Sequence, residues 1–344
     1  MDQQQRAVRR PRHRCREARQ LRGAAFGFTF LQLNSANTNG EAGVVTGYNG
    51  IQSPVPRERT ELSEAWYRQE ILKDVLKVRV GRSVPTYDFN NVLRPLHLED
   101  TAQNIPSLSG LLYTTLFING SILGALPGAY NSGNGVTVNF TPTKDFYLNV
   151  GSYDGNLARG TQTGVSPPLF NGYYFNIAEI GTNWLLGEGR HPGQFGIGLW
   201  RQTGTLTAGT NTQDGAGGFY LMGSQRVAFG VNPEVPNSSI SVFYQFGAND
   251  SQTMLVTQYY GAGITGFGLI GNRARDSMGL GFGLSRLNPA LFERPSELML
   301  QAYYQAHLYA AIFLQPTVTY IPTPGATATA PGALTTTLRL TVLF

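Results

Sequence analysis

The chain has 344 residues, with 26 Lys and Arg against 21 Asp and Glu and a formal net charge of +5. Eight Arg fall within residues 1–22 against only Asp2 and Glu17, leaving 18 basic (26 less 8) and 19 acidic (21 less 2) side chains in the rest, so no body-wide basic surface exists for a nucleic acid. Only 14% of residues are charged, against ~25% in soluble domains, and the single Cys15 excludes a disulfide framework in the body.

Residues 1–22 are Arg-rich but lead into no clean apolar stretch with a small-residue cleavage site, so they do not read as a secretory signal. The expectation is a disordered basic segment or a mis-assigned start over 1–22, followed by one folded domain over 23–344. The uncharged run Thr101–Thr143 is broken by Asn119-Gly120 and Pro127-Gly128. It therefore falls short of the ~20 consecutive apolar residues of a helical membrane span.

From residue 23 onward the dominant signal has period two. Strands are expected near 25–33, 60–71 and 75–82, the second being ambiguous with a helix over 60–74, and again near 111–118. Val136, Val138 and Phe140 alternate with Thr137, Asn139 and Thr141; Phe146, Leu148 and Val150 alternate with Tyr147, Asn149 and Gly151. Further strands are expected near 172–186, 193–202, 217–229 and 254–270. Ile240, Val242, Tyr244 and Phe246 share one face, as do Met278, Leu280, Phe282 and Leu284, and then Leu298, Leu300, Ala302 and Tyr304. A segment near 308–321 precedes the clearest one, Thr335–Phe344, where Leu338, Leu340, Val342 and Phe344 oppose Thr337, Arg339 and Thr341.

Alternation on this scale fits a soluble sandwich or a membrane barrel. The polar faces are built from Gly, Ser, Thr, Asn and Gln with few charges, which suits a wet interior. Aromatic residues gather near segment ends, at Tyr173-Tyr174-Phe175, Tyr259-Tyr260, Tyr303-Tyr304 and Tyr320, as interfacial girdles require. The reading is all-β: a transmembrane antiparallel β-barrel. Its last strand ends in the aromatic Phe344, the feature that outer-membrane barrels present to their assembly machinery.

Scattered motifs add a family likeness between about Leu62 and Phe344. Glu64–Gln69 (EAWYRQ), Leu76–Arg82 (LKVRVGR) and Asp88-Phe89 come first, then Val150–Asn156 (VGSYDGN), Pro192-Gly193 with Gly196–Trp200 (GIGLW), and Gly218-Phe219-Tyr220 with Gln225. Glu297, Tyr303 or Tyr304, Pro316–Ile321 (PTVTYI) and Pro324-Gly325 close the run. In order and spacing this resembles the carbohydrate-selective porins of the OprB type, with Ser224 and Thr319 departing from the pattern. The resemblance implies a barrel of about 16 strands, with one or two N-terminal strands missing or degraded. It further implies passive passage of small sugars across a bacterial outer membrane, as a monomer or homotrimer.

No constellation for enzymatic chemistry appears. Gly261, Gly263 and Gly266 match G-x-G-x-x-G, but Phe267-Gly-Leu-Ile continues as strand, so packing glycines are expected. His97, His191 and His307 lie far apart with no second ligand at metal spacing, and no cofactor motif is present. What remains is a lumen. Parity puts Glu64, Trp66, Arg68, Lys77, Arg79 and Arg339 on the face opposite the apolar side chains. An Arg or Lys on the lipid face costs ~2–4 kcal/mol near the midplane. These six are the candidate solute-pathway residues: opposed charges replace hydration water and Trp66 offers a stacking face. The turn-rich Ser83–Gly110 is expected to fold into the barrel and narrow it. The competing readings are a closed structural or adhesive barrel, a soluble carbohydrate-binding sandwich, and a truncated porin without function.

Overall fold

Apolar and polar side chains alternate because successive residues of a strand point to opposite faces, and in this chain the alternation becomes one antiparallel sheet of 14 strands in sequence order. The computed structural model describes residues 23–49, 58–72, 75–92, 119–127, 131–161, 163, 167–188 and 190–342. The N-terminal segment 1–22, the strand expected near 111–118 and Phe344 lie outside them.

The strands are β1 (Ala24–Asn34), β2 (Glu58–Ile71), β3 (Leu76–Ser83), β4 (Gly133–Thr143), β5 (Phe146–Asp154), β6 (Tyr174–Leu186) and β7 (His191–Ala208). They continue as β8 (Asn211–Phe229), β9 (Ser239–Asn249), β10 (Val256–Phe267), β11 (Ser277–Leu287), β12 (Ser296–Tyr309), β13 (Ile312–Ile321) and β14 (Ala333–Val342). The expected helix ambiguity over 60–74 resolves as strand through Ile71, residues 73–74 lying outside the described ones, and the segment near 308–321 is interrupted by a turn at Ala310, whose φ is +47°.

The count corrects the expected 16 strands to 14 among the described residues. β3 pairs directly with β4, Leu76 opposite Phe140 and Ser83 opposite Gly133, so the long connection between them adds no strand to the wall at that point. Its described parts, Val84–Val92 and Asn119–Pro127, lie against the inner face instead.

The outer face is apolar and open: Phe26, Phe28, Phe140, Val150, Ile197, Leu280, Leu300 and Leu338 are all exposed. A sheet can present such a face to lipid because its backbone donors and acceptors are satisfied between strands. The inner face carries Thr137, Asn149, Gln194, Gln245, Gln301 and Gln315. Glycines there make room for aromatic rings laid along the wall. A Cβ on Gly198 would stand 2.1 Å from the Tyr220 ring, and one on Gly263 would stand 2.5 Å from Phe243. Gly261, Gly263 and Gly266 lie within β10, paired to β9 and β11, so the dinucleotide-like spacing is strand packing.

The connections at one end of the sheet, β2–β3, β4–β5, β6–β7, β8–β9, β10–β11 and β12–β13, are all short, whereas the other end carries the long connections 35–57, 84–132, 155–173 and 322–332 beside the tight turn at 209–210. Short turns on the periplasmic side and long loops outside are the outer-membrane pattern. Among the described residues β1 and β14 are the sheet edges and are not paired to each other. The β1–β2 connection nevertheless reaches β12: Val45 and Thr46 donate their backbone N–H groups to Glu297, at 2.9 and 3.0 Å. The sheet therefore curls far enough to bring its first connection onto its last hairpins.

Candidate functional site

The β2–β3 hairpin sets the site. Its register pairs Glu70 with Lys77, Arg68 with Arg79 and Trp66 with Gly81. Opposite β1 a bulge at Ser63 lets Glu64 face Thr29 while Leu62 faces Phe30. A bulge inserts one residue and shifts the side-chain alternation. Arg59 and Glu61 are therefore buried on the same side as Glu64, where they pair at 3.2 Å. Unbroken parity from Glu64 puts Glu61 on the opposite face, which is why this pair escaped the sequence reading.

Glu64, Trp66, Arg68, Lys77 and Arg79 come together on one face, opposite the outward tilted pair of Phe26 and Tyr67, whose ring centroids are 5.0 Å apart. The Trp66 indole lies across Gly27, where a Cβ would approach it to 2.2 Å. The Arg68 and Arg79 guanidinium carbons stand 6.0 and 5.8 Å from its ring centroid, at the limit of cation–π contact. Glu70 lies 3.5 Å from Arg68 and 3.8 Å from Lys77. Arg79 pairs with Asp88 from the inward segment. Glu64 is buried and holds that segment's start, accepting from the Val84 N–H at 3.1 Å and the Thr29 hydroxyl at 2.9 Å. Arg339 stands apart from the other five, on β14 opposite Gln315.

Exposure is uneven around the inner face. Arg68, Lys77 and Glu70 keep 39%, 34% and 28% of their side chains accessible. Along β5–β8 the inward segments close the wall: Phe89, Ile122 and Leu126 form one core with Tyr153, Trp200 and Tyr220. Asp88, Glu70 and the buried Glu179 of β6 were not among the sequence candidates as site residues. Glu179 had a signal, being a lone carboxylate on the face shared by Phe175, Ile177 and Gly181.

At the turn end a shallow cleft of about 280 Å³ is lined by Asn272, Arg273, Arg275, Asp276 and His307. Arg273 donates to Asp276 at 2.7 Å, and that hydrogen bond, with one to Tyr304, pushes the guanidinium above its ordinary range. His191 and His307 lie near the backbone carbonyls of Arg226 and Ala310; among the described residues no three His, Cys, Asp or Glu gather as a metal site would need.

The sequence matches the carbohydrate-selective porin family OprB over residues 16–344. The chain belongs to the OprB family of carbohydrate-selective porins. The fold agrees: the high-pH structure of Pseudomonas putida OprB superposes with a TM-score of 0.71 at 18% identity, over 92% of this chain and 82% of that one. Its low-pH structure gives a TM-score of 0.50 at 16% identity, over 82% and 67%. No curated protein matches. For this OprB-family porin the function is carbohydrate diffusion through a barrel. The family departure at Thr319 is absorbed within the inner wall, where its hydroxyl accepts from the Gln301 amide at 2.8 Å.

Proposed function

We propose that sugars cross this porin along the inner face of β2 and β3, with β14 alongside, and that Glu64, Trp66, Arg68, Lys77, Arg79 and Arg339 form that pathway. The observation that carries the reading is mutual neutralisation. Arg68 and Lys77 share Glu70, and Arg79 is paired with Asp88. A lining whose cations are largely offset by carboxylates, with Arg68, Lys77, Arg79 and Arg339 against Glu64, Glu70 and Asp88, has a weak net field for ions but keeps its donors and acceptors. Those groups replace the hydration water of a neutral, many-hydroxyl solute. Trp66, flanked by the guanidinium groups of Arg68 and Arg79, offers a flat apolar surface to the C–H face of a sugar ring.

In this reading the protein performs no covalent chemistry and needs no cofactor. It resides in the bacterial outer membrane with its short turns toward the periplasm. Its outer face meets lipid, and its C-terminal strand, ending at Phe344, engages the barrel-assembly machinery. The curled sheet and the polar inner wall support an open channel over a closed structural or adhesive barrel.

The test is planar-bilayer conductance of the refolded chain with glucose and related sugars as blockers. Stable steps that glucose reduces are expected. Steps that no sugar alters sink the sugar pathway, and folded, inserted protein without steps points to a closed barrel.

A further inference from the structure

Glu179 is a fully buried acid in the middle of β6, and its partners come from β5, β8 and the inward segment. One carboxylate oxygen accepts from the Asn90 backbone N–H at 2.6 Å and from the Tyr220 hydroxyl at 2.7 Å. The other accepts from the Tyr147 hydroxyl at 3.0 Å. Asn90 belongs to the inward segment Val84–Val92, and its backbone is left-handed there, with φ +51°, which turns the N–H toward the wall. The same segment is held on both sides of Asn90. Asn149 donates to the Asp88 carbonyl at 2.9 Å, and Gln194 donates to the Val92 carbonyl at 3.2 Å. Phe89, fully buried, packs over Gly151.

Burying an acid among amides, hydroxyls and rings is costly unless its oxygens are satisfied. The docked segment adds the Asn90 N–H to the two tyrosine hydroxyls that Glu179 accepts from, so the acid is most fully satisfied when the segment is in place. Docking has a second consequence. It places Asp88 beside Arg79, so the position of the segment decides whether that guanidinium is neutralised.

We propose that Glu179 is the positioning residue of the pore: it clamps the inward segment to β6, and through that segment sets both the free bore and the charge balance at Arg79. The inference rests on the sugar-pathway reading but assigns a residue that touches no solute. The Glu179→Gln variant removes the charge that strengthens these bonds and leaves one acceptor oxygen where the carboxylate offered two, so the hold on the Asn90 N–H weakens. The conservative variant Asn90→Gly keeps the N–H and tolerates the left-handed backbone, so the clamp persists.

The experiment is bilayer recording and liposome swelling on full-length chains whose barrel is verified by heat-shifted gel mobility. For Glu179→Gln the expected result is at least a doubling of single-channel conductance. Trisaccharide entry rises several-fold relative to monosaccharide, and the reversal potential moves toward anion selectivity as Arg79 loses Asp88. Asn90→Gly retains wild-type values. A folded Glu179→Gln channel with wild-type conductance, size cut-off and selectivity overturns the proposal. If Glu179→Gln does not fold, Gln194→Met loosens the same segment at Val92 without disturbing the acid, and unchanged behaviour there overturns it equally. If the wild type passes no current, the pathway reading fails by itself. The clamp is then read from maleimide labelling of Val92→Cys in a Cys15→Ser background. A roughly tenfold faster rate with Glu179→Gln supports it, and an equal rate overturns it.

Discussion

Glu297 on β12 accepts a hydrogen bond at 2.9 Å from the backbone of Val45, 252 residues earlier in the chain. The same carboxylate takes the Thr46 hydroxyl at 2.5 Å and the Gly325 N–H at 2.8 Å. Three segments distant in sequence, the β1–β2 connection, β12 and the β13–β14 loop, thus meet on one buried acid.

Leucine at this position removes the acceptor while leaving the N–H groups of half-buried Val45 and buried Gly325 to be satisfied elsewhere. Bonds to a charged partner are worth ~1.5–3 kcal/mol each, with a further cost for orphaned donors. Glu297→Leu is expected to lower stability by about 3 kcal/mol, read as an earlier urea midpoint in detergent micelles, with single-channel conductance unchanged in the fraction that remains folded.

Trp66→Leu removes the flat ring beside Arg68 and Arg79. Aromatic contacts of this type contribute ~0.5–1.5 kcal/mol beyond area, so the glucose concentration for half-maximal block is expected to rise roughly 2- to 10-fold. An unchanged value removes Trp66 from the pathway.

Glu70→Gln leaves Arg68 and Lys77 without the carboxylate they share. The lining gains positive charge, so the reversal potential in a potassium chloride gradient is expected to move toward anion selectivity. Stability is expected to change by less than about 1 kcal/mol, because partly exposed ion pairs contribute little.

Neighbouring positions on β14 separate the two faces of the sheet. Leu338 is 69% exposed on the outer face, while Thr337 points inward. Leu338→Arg is expected to cost ~2–4 kcal/mol of folding free energy into lipid vesicles. Thr337→Arg is expected to cost less than about 1 kcal/mol and to shift selectivity toward anions, as substitutions on a channel wall do. Equal costs at the two positions contradict the assignment of faces.

The alternation of side chains along each strand is local, with period two, and needs no tertiary information. It was therefore legible in Thr335–Phe344 and in the pairs around Val136, Phe146, Ile240, Met278 and Leu298. The ordered motifs from Glu64 to Gly325 carried the family. Parity likewise grouped Glu64, Trp66, Arg68, Lys77 and Arg79, and the β2–β3 register pairs Arg68 with Arg79 and Trp66 with Gly81; their part in a solute pathway is the proposal made above.

Tertiary structure decided the remainder, because it turns on which strand pairs with which and on what a loop meets after leaving the sheet. The direct β3–β4 pairing leaves 14 strands among the described residues, and the described parts of the intervening chain, Val84–Val92 and Asn119–Pro127, lie against the inner face. The bulge at Ser63 moved Arg59 and Glu61 onto the inner face, a shift no strict period anticipates. The pairing of Arg79 with Asp88 spans nine residues but depends on the docked conformation of the segment between them. The contact of Glu179 with Asn90 spans 89. Alternation says which face a side chain takes; only the folded chain says which partner it finds there.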